Sequence, residues 1–178
     1  MFRAVLPALI FMVLAGFLLV GLYKDPSLVP SPLIGKPIPE FSLSSVKNPN
    51  QVITADDFKT DYALINVWAT WCVACKQEHD ALVALAQQQV PIFGINYKDD
   101  RQLAQQWLND HGDPYVMSAF DEAGRVAIDF GVYGAPETFL IDKQGIIHHK
   151  LIGVMTAEIW QSQFVPKIQQ ITAAQLYE

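Results

Sequence analysis

Cysteine is scarce in this chain, and so are charged side chains. Only two cysteines occur in 178 residues, and no second CxxC pair accompanies them. A structural zinc site needs about four ligands, so the sequence gives little support for one. The 12 basic residues are scattered among 18 acidic ones, and the net charge is near −6. This balance argues against nucleic acid as a partner.

The low charge accompanies a high apolar content. Charged residues make up 17% of the chain and hydrophobic residues 51%, which is typical of a folded protein rather than a disordered one. No internal repeat or low-complexity tract is present. Roughly 150 residues follow the N-terminal segment, which is enough for one domain with its own core.

The N-terminal segment is an uncharged, mostly apolar run from Ala4 to Tyr23. A helix of this length crosses about 30 Å of hydrocarbon. A cleaved signal peptide is the alternative, but the usual small-residue cleavage signal is missing after the run. We therefore predict a transmembrane anchor over residues 1–24. Its N-terminus is expected in the cytoplasm, because Arg3 precedes the run and no net positive charge follows it.

After the apolar run, a proline-rich stretch is followed by segments with strand-like and helix-like periodicity. Five prolines between Asp25 and Pro39 resist helix and favour extended structure, which predicts a semi-rigid linker over residues 25–39. Residues 40–178 form the predicted globular domain. The expected strands cover residues 61–68, 90–97, 137–142 and 145–153, with two shorter ones at 41–43 and 115–120. The expected helices cover residues 76–89, about 100–111 with Asp99 or Asp100 as its cap, 123–130, and 156–173 with a kink at Pro166, and a brief helical turn is expected near Asp57. Strand–helix alternation with a terminal hairpin predicts an α/β fold with a mixed central sheet flanked by helices.

The two cysteines, Cys72 and Cys75, lie three positions apart directly after the first of these strands. If a helix begins near Cys72, its free N–H groups and dipole favour the thiolate of that residue. Cys75 lies one turn further on and can attack a mixed disulfide formed at Cys72. The pattern predicts a redox-active disulfide, with Cys72 as nucleophile, Cys75 as resolving partner, and neither a cofactor nor a metal.

Other uses of a CxxC pair receive less support. A c-type haem attachment requires His directly after the second cysteine, where this chain has Lys76, so it is excluded. A purely structural disulfide stays open, although so short a loop restrains the unfolded chain very little. A peroxidase would lack a separate peroxidatic cysteine.

Four segments carry a resemblance to known proteins: residues 66–72 (NVWATWC), 78–79 (EH), 96–100 (NYKDD) and 131–142 (GVYGAPETFLID). They resemble thioredoxin-fold proteins and, more narrowly, the thiol:disulfide interchange proteins of the DsbE (CcmG) family of cytochrome c biogenesis. The likeness spans about residues 33–168 and the predicted anchor. One departure is Val73-Ala74 between the cysteines, where the family commonly has Pro first.

This resemblance implies a thioredoxin fold and a single-pass protein of the bacterial inner membrane whose domain faces the periplasm. The implied activity is reduction of the CxxCH cysteines of apocytochrome c before haem attachment, in company with the haem-ligation machinery. Electrons would come from a membrane thiol transporter of the DsbD/CcdA kind. Two alternatives stay open: a broader-specificity extracytoplasmic thiol oxidoreductase, and a non-catalytic module that binds apocytochrome c.

The resemblance also implies further site residues. Pro136 is expected as a cis-proline beside the disulfide, where neighbouring backbone groups at Ala135 can pair with an extended substrate. Trp71, Tyr133 and Glu137 are expected to line the same substrate groove.

The proton acceptor for Cys75 is a separate question. Thioredoxins carry a buried Asp six positions before the nucleophile, but this chain has Asn66, which cannot ionise. Two carboxylates are candidates: Glu78, which shares a helix face with Cys75, and Glu137, which follows Pro136. Partial burial would raise the pKa of either group into a range suited to proton transfer.

Overall fold

The computed structural model describes residues 2–22 and 32–175. The first helix, α1, spans Phe2–Leu22. It lies in one compact unit, and all the other elements lie in a second. Among the residues described, no helix combines the length and the apolar character required to cross a membrane.

The second unit is built around a five-stranded mixed sheet. Its strands are β3 (Tyr62–Trp68), β4 (Ile92–Tyr97), β5 (Met117–Asp121), β6 (Glu137–Asp142) and β7 (Ile147–Ile152), in the order β5-β4-β3-β6-β7. Strand β4 runs parallel to β3 and β5, whereas β6 runs antiparallel to β3 and β7. The predicted mixed sheet is therefore confirmed, and β3 lies at its centre.

Helices cover both faces of this sheet. They are α2 (Val73–Gln87), α3 (Arg101–His111), α4 (Arg125–Asp129), α5 (Ala157–Ile159) and α6 (Val165–Gln175). The last two are joined by a π-helical segment, Trp160–Phe164. This wide turn ends at Phe164, two residues before Pro166, which has no N–H to donate to the preceding turn. A kink was predicted at Pro166, and the structure has a π-helical turn just ahead of it.

A small antiparallel pair of strands precedes the sheet. Strand β1 (Ser42–Ser44) pairs with β2 (Val52–Thr54), and a 3₁₀ helix, Ala55–Phe58, follows. The N–H and Oγ1 of Thr54 donate to the Asp57 carboxylate at 2.7 and 2.8 Å. Asp57 thereby fixes the start of the 3₁₀ helix that the sequence predicted near this point.

Two hydrophobic cores lie on opposite faces of the sheet. Leu64 and Trp68 of β3 belong to the core under α2, whereas Ile65 and Val67 belong to the core under the 3₁₀ helix and α4. Because both faces are covered, β3 is a nearly continuous apolar run. Asn66 interrupts that run and is fully buried.

Residues just ahead of β1 are attached to the β6–β7 hairpin. The N–H of Gly35 donates to the carbonyl of Ile147 at 2.8 Å, and the N–H of Ile38 donates to that of Gly145 at 2.9 Å. Ile38 is buried in the core beside α4. These contacts hold the C-terminal part of the predicted 25–39 linker against the sheet.

Candidate active site

The two cysteines form a disulfide at the N-terminus of α2, with their Cα atoms 5.3 Å apart. Cys72 is the N-cap residue, and its Sγ accepts a hydrogen bond from the N–H of Cys75 at 3.0 Å. A sulfur that accepts a helix N–H in the first turn is favoured as a thiolate once reduced. The predicted position of Cys72 at a helix start is confirmed.

Exposure does not distinguish the two sulfurs, because Cys72 and Cys75 are only 4% and 7% exposed. Their surroundings do. The Sγ of Cys72 lies 3.3 Å from the carbonyl oxygen of Ala135, and the Ala135–Pro136 peptide bond is cis, as the resemblance implied. Cys72 is therefore the sulfur that lies against the segment before β6.

Three exposed side chains, on the two chain neighbours of Cys72 and two residues before Ala135, form what we term the apolar rim. Trp71, Val73 and Tyr133 are 54%, 71% and 72% exposed. The Trp71 indole is held in place because its Nε1 donates to the carbonyl of Lys98 at 2.9 Å. Large apolar side chains left in water beside a reactive centre are typical of a surface that contacts another polypeptide.

Asp99 holds the turn that leads into Cys72. Its carboxylate accepts from the N–H and the Oγ1 of Thr70, both at 2.6 Å, and from Nδ2 of Asn96 at 2.9 Å. The neighbouring Asp100 caps α3 through the N–H groups of its first turn. The sequence predicted one of these two residues as the cap, but it gave no signal for the contact between Asp99 and Thr70.

Glu78 is completely buried beneath α2. Its Oε1 accepts from Nδ2 of Asn66 at 2.8 Å, and its Oε2 accepts from the N–H of Met155 at 2.7 Å. Burial raises the pKa of Glu78 to about 7, and these two hydrogen bonds only partly oppose that effect. A carboxyl in this environment gains or loses a proton near neutral pH.

Asn66 connects Glu78 to a wider buried network. Its Nδ2 also donates to Oγ1 of Thr138 at 3.0 Å, and its Oδ1 accepts from the Tyr115 hydroxyl at 2.8 Å. Burial, reinforced by the Glu78 carboxylate, raises the pKa of Tyr115, so its hydroxyl remains a donor. Asn66 thus orients Glu78, in the place where thioredoxins carry an ionisable Asp.

Glu137 is also fully buried, but its surroundings differ from those of Glu78. Its Oε1 accepts from the N–H groups of Tyr133 and Gly134 at 2.8 and 3.4 Å. Its Oε2 lies 2.8 Å from Nζ of Lys150, whose side chain is 3% exposed. Glu137 is therefore an ion-paired group that holds the segment before Pro136. Lys150 was not predicted from the sequence, although its place across the predicted hairpin from Glu137 was a possible signal.

His79 packs inside the protein rather than facing the disulfide. Nε1 of Trp107 donates to Nδ1 of His79 at 3.4 Å, and Nε2 of His79 lies 3.0 Å from the carbonyl of Gly112. Both ring nitrogens are engaged, which fits a packing role. Within residues 2–22 and 32–175, no group of three or more His, Cys, Asp or Glu side chains is placed to hold a metal ion.

Comparisons with known proteins place this geometry in a family. A family model described as Redoxin matches residues 33–165. The chain is 52% identical over 166 residues to the thiol:disulfide interchange protein DsbE of Pseudomonas aeruginosa, covering 93% of this chain and 92% of that relative. It is 45% identical over 167 residues to the protein of the same name from Escherichia coli K12, covering 90% of each. The chain belongs to the DsbE family of thiol:disulfide interchange proteins.

Solved structures agree on the fold. A putative DsbE from Chlorobium tepidum superimposes with a TM-score of 0.64 at 24% identity, covering 79% of this chain and 96% of that structure. The thioredoxin-like α/β fold is thereby confirmed. As a member of the DsbE family with a disulfide between Cys72 and Cys75, the protein is a thiol-disulfide oxidoreductase.

Proposed function

We propose that the Cys72–Cys75 dithiol reduces the disulfide of CxxCH segments in apocytochrome c before haem attachment. The observation that carries this proposal is high identity to DsbE proteins over nine-tenths of the chain. It is supported by the exposed rim of Trp71, Val73 and Tyr133 beside Cys72, because a rim of this kind suits a polypeptide substrate rather than a small thiol.

The reaction transfers two electrons from the dithiol to the substrate disulfide. The Cys72 thiolate attacks one substrate sulfur, and the other leaves as a thiolate that takes a proton from water. Cys75 then loses its proton and attacks Sγ of Cys72 in the mixed disulfide. This step closes the Cys72–Cys75 disulfide and releases the second substrate sulfur as a thiolate.

Glu78 is the proposed acceptor of the Cys75 proton. It lies one helical turn after Cys75, and its pKa of about 7 suits proton transfer near neutral pH. Glu137, the other candidate, is engaged by Lys150 and by two backbone N–H groups. Its proposed part is to shape the substrate groove at Ala135 and Pro136. If Glu78→Gln left the rate of disulfide exchange unchanged across pH, the role of Glu78 would be disproved.

The cellular setting is proposed from the sequence alone. The apolar run from Ala4 to Tyr23 would anchor the protein in the bacterial inner membrane, and the charge before it would leave the domain in the periplasm. After each reaction in that oxidising compartment, the Cys72–Cys75 disulfide must be reduced again. Anchoring raises the effective concentration of the protein near a membrane thiol transporter of the DsbD/CcdA kind, which would supply the electrons. Recovery of the protein from the periplasm in a form that lacks this run would contradict the anchor.

A trapping experiment tests the chemistry and the substrate together. Cys75→Ser retains the nucleophile but removes the resolving thiol, so a mixed disulfide through Cys72 should accumulate with oxidised apocytochrome c. Cys72→Ser is the matched control and should trap far less. Absence of any covalent complex with Cys75→Ser would favour a module that only binds apocytochrome c. Equal trapping of unrelated disulfide proteins would favour a broader oxidoreductase.

A further inference from the structure

We propose that Lys150 is a positioning residue for polypeptide substrates, because it holds the segment from Gly131 to Pro136 against Cys72. This inference rests on the proposed function in one respect: a substrate backbone is taken to meet the protein at Ala135. Lys150 lies on β7, far along the chain from the cysteines.

Lys150 reaches the segment from the neighbouring strand. It stands directly opposite Phe139 in the β6–β7 pairing, so Glu137 is its diagonal neighbour on the same face of the sheet. Nζ of Lys150 lies 2.8 Å from Oε2 of Glu137 and donates to the carbonyl of Gly131 at 2.7 Å. It also lies 4.9 Å from the centroid of the Tyr133 ring. The Lys150 ammonium therefore contacts the segment at the carbonyl of Gly131 and at the ring of Tyr133.

Glu137 extends this hold to the middle of the segment. Its Oε1 accepts from the N–H groups of Tyr133 and Gly134 at 2.8 and 3.4 Å. The next residue, Ala135, presents its carbonyl 3.3 Å from Sγ of Cys72. The Lys150–Glu137 ion pair thus fixes the backbone of Tyr133 and Gly134, immediately before the Ala135 carbonyl that lies against Sγ of Cys72.

The energetics favour a positioning role over a purely stabilising one. A buried ion pair loses its hydration, and well-packed apolar side chains of similar volume stabilise a fold at least as well. An apolar pair could not accept the two N–H groups or donate to the Gly131 carbonyl. The ammonium also attracts the face of the Tyr133 ring, which orients a side chain that is otherwise 72% exposed.

The test compares two disulfides that differ in their need for this segment. A disulfide-bonded peptide containing CxxCH should pair with the backbone at Ala135, whereas 5,5′-dithiobis(2-nitrobenzoate) needs only the Cys72 sulfur. For Lys150→Met in the full-length reduced protein, we expect the second-order rate constant for single-turnover reduction of the peptide to fall about tenfold, mainly through a higher half-saturating peptide concentration. The rate with the small disulfide should stay within about twofold of the wild type.

Two further variants separate positioning from folding. Lys143→Met makes the same change of charge at the exposed turn of the same hairpin, and it should leave both rates unchanged. Lys150→Met combined with Glu137→Gln leaves no unpaired buried charge, so it should recover thermal stability. It should not recover the peptide rate, because Gly131 and the Tyr133 ring still lack the ammonium.

Three outcomes would overturn the proposal. An equal loss of rate with both disulfides would show a general defect of the site, and full recovery of the peptide rate in the double variant would show that Lys150 only balances charge. An unchanged peptide rate in Lys150→Met would show no role at all. A wild-type protein that reduces the small disulfide but not the peptide would instead overturn the proposed substrate, and this positioning role with it.

Discussion

Glu78 is expected to make the stability of the folded protein depend on pH. Burial raises its pKa from the usual 4.5 to about 7 in the folded state. Between those two values the folded state retains a proton that the unfolded chain releases, so stability falls as pH rises. The contribution of the protonated carboxyl is complete below pH 4.5 and is lost as pH rises through about 7. The difference between the two pKa values corresponds to about 3 kcal/mol.

Glu78→Gln removes this titration while keeping the shape of the side chain. Both oxygens of Glu78 accept hydrogen bonds, from Asn66 and from Met155. In the variant, the NH₂ group of the Gln side chain would face either the Asn66 amide or the Met155 N–H, so two donors would oppose each other. This lowers the free energy of unfolding by about 1–3 kcal/mol at every pH. That constant cost cancels when the variant and the wild type are compared across pH. We expect the variant to gain about 3 kcal/mol relative to the wild type between about pH 4.5 and about pH 8.

The measurement is urea unfolding of the oxidised full-length protein in mild detergent, followed by circular dichroism at several pH values. Glu122→Gln is the matched control, because it makes the same chemical change at an exposed position outside the buried network. A Glu78→Gln difference that stays flat from about pH 4.5 to about pH 8 would refute the reasoning, since it would mean that the buried carboxyl does not retain its proton.

Two other contacts give predictions for the same unfolding assay. Tyr115→Phe removes the hydroxyl that donates to Oδ1 of Asn66 and should lower the free energy of unfolding by about 1–2 kcal/mol; an unchanged value would mean that the bond contributes nothing. Asp99→Asn weakens the acceptor for the N–H and hydroxyl of Thr70 and should cost about 1–3 kcal/mol. Asp100→Ala is the comparison variant; it loses only the cap of α3 and should lower the free energy of unfolding by about 1 kcal/mol. A smaller loss for Asp99→Asn than for Asp100→Ala would contradict the role of Asp99 in holding the turn at Thr70.

Local patterns predicted the parts of the fold that depend on neighbours in sequence. The apolar run of β3, the helical period after Cys75 and the hairpin between β6 and β7 all occur where periodicity placed them. Helix α2 begins earlier than the apolar period indicated, at Val73, because Cys72 itself supplies the cap. Strand β2 was missed, since three residues are too few to show an alternating pattern.

The site depends more on contacts between distant residues, which sequence patterns do not reveal. Glu78 and Glu137 were both candidate proton acceptors in the sequence, because Glu78 lies close to the cysteines and Glu137 follows Pro136. Their hydrogen-bond partners distinguish them. The Glu78 carboxylate accepts from the backbone N–H of Met155 and from the side-chain amide of Asn66, whereas the Glu137 carboxylate pairs with the ammonium of Lys150. Asn66 comes from β3, Lys150 from β7 and Met155 from the segment after β7, so these partners meet the two carboxylates only once the chain is folded.

The direction of electron flow is tested most directly by equilibrating the Cys72–Cys75 couple with a glutathione redox buffer and measuring the oxidised fraction. If the protein is a reductant, its potential should lie near or below the roughly −270 mV of thioredoxin. A potential near the roughly −120 mV of a strong oxidant would contradict the account. A disulfide that accepts electrons so readily would oxidise the thiols of its partner proteins instead of reducing their disulfides.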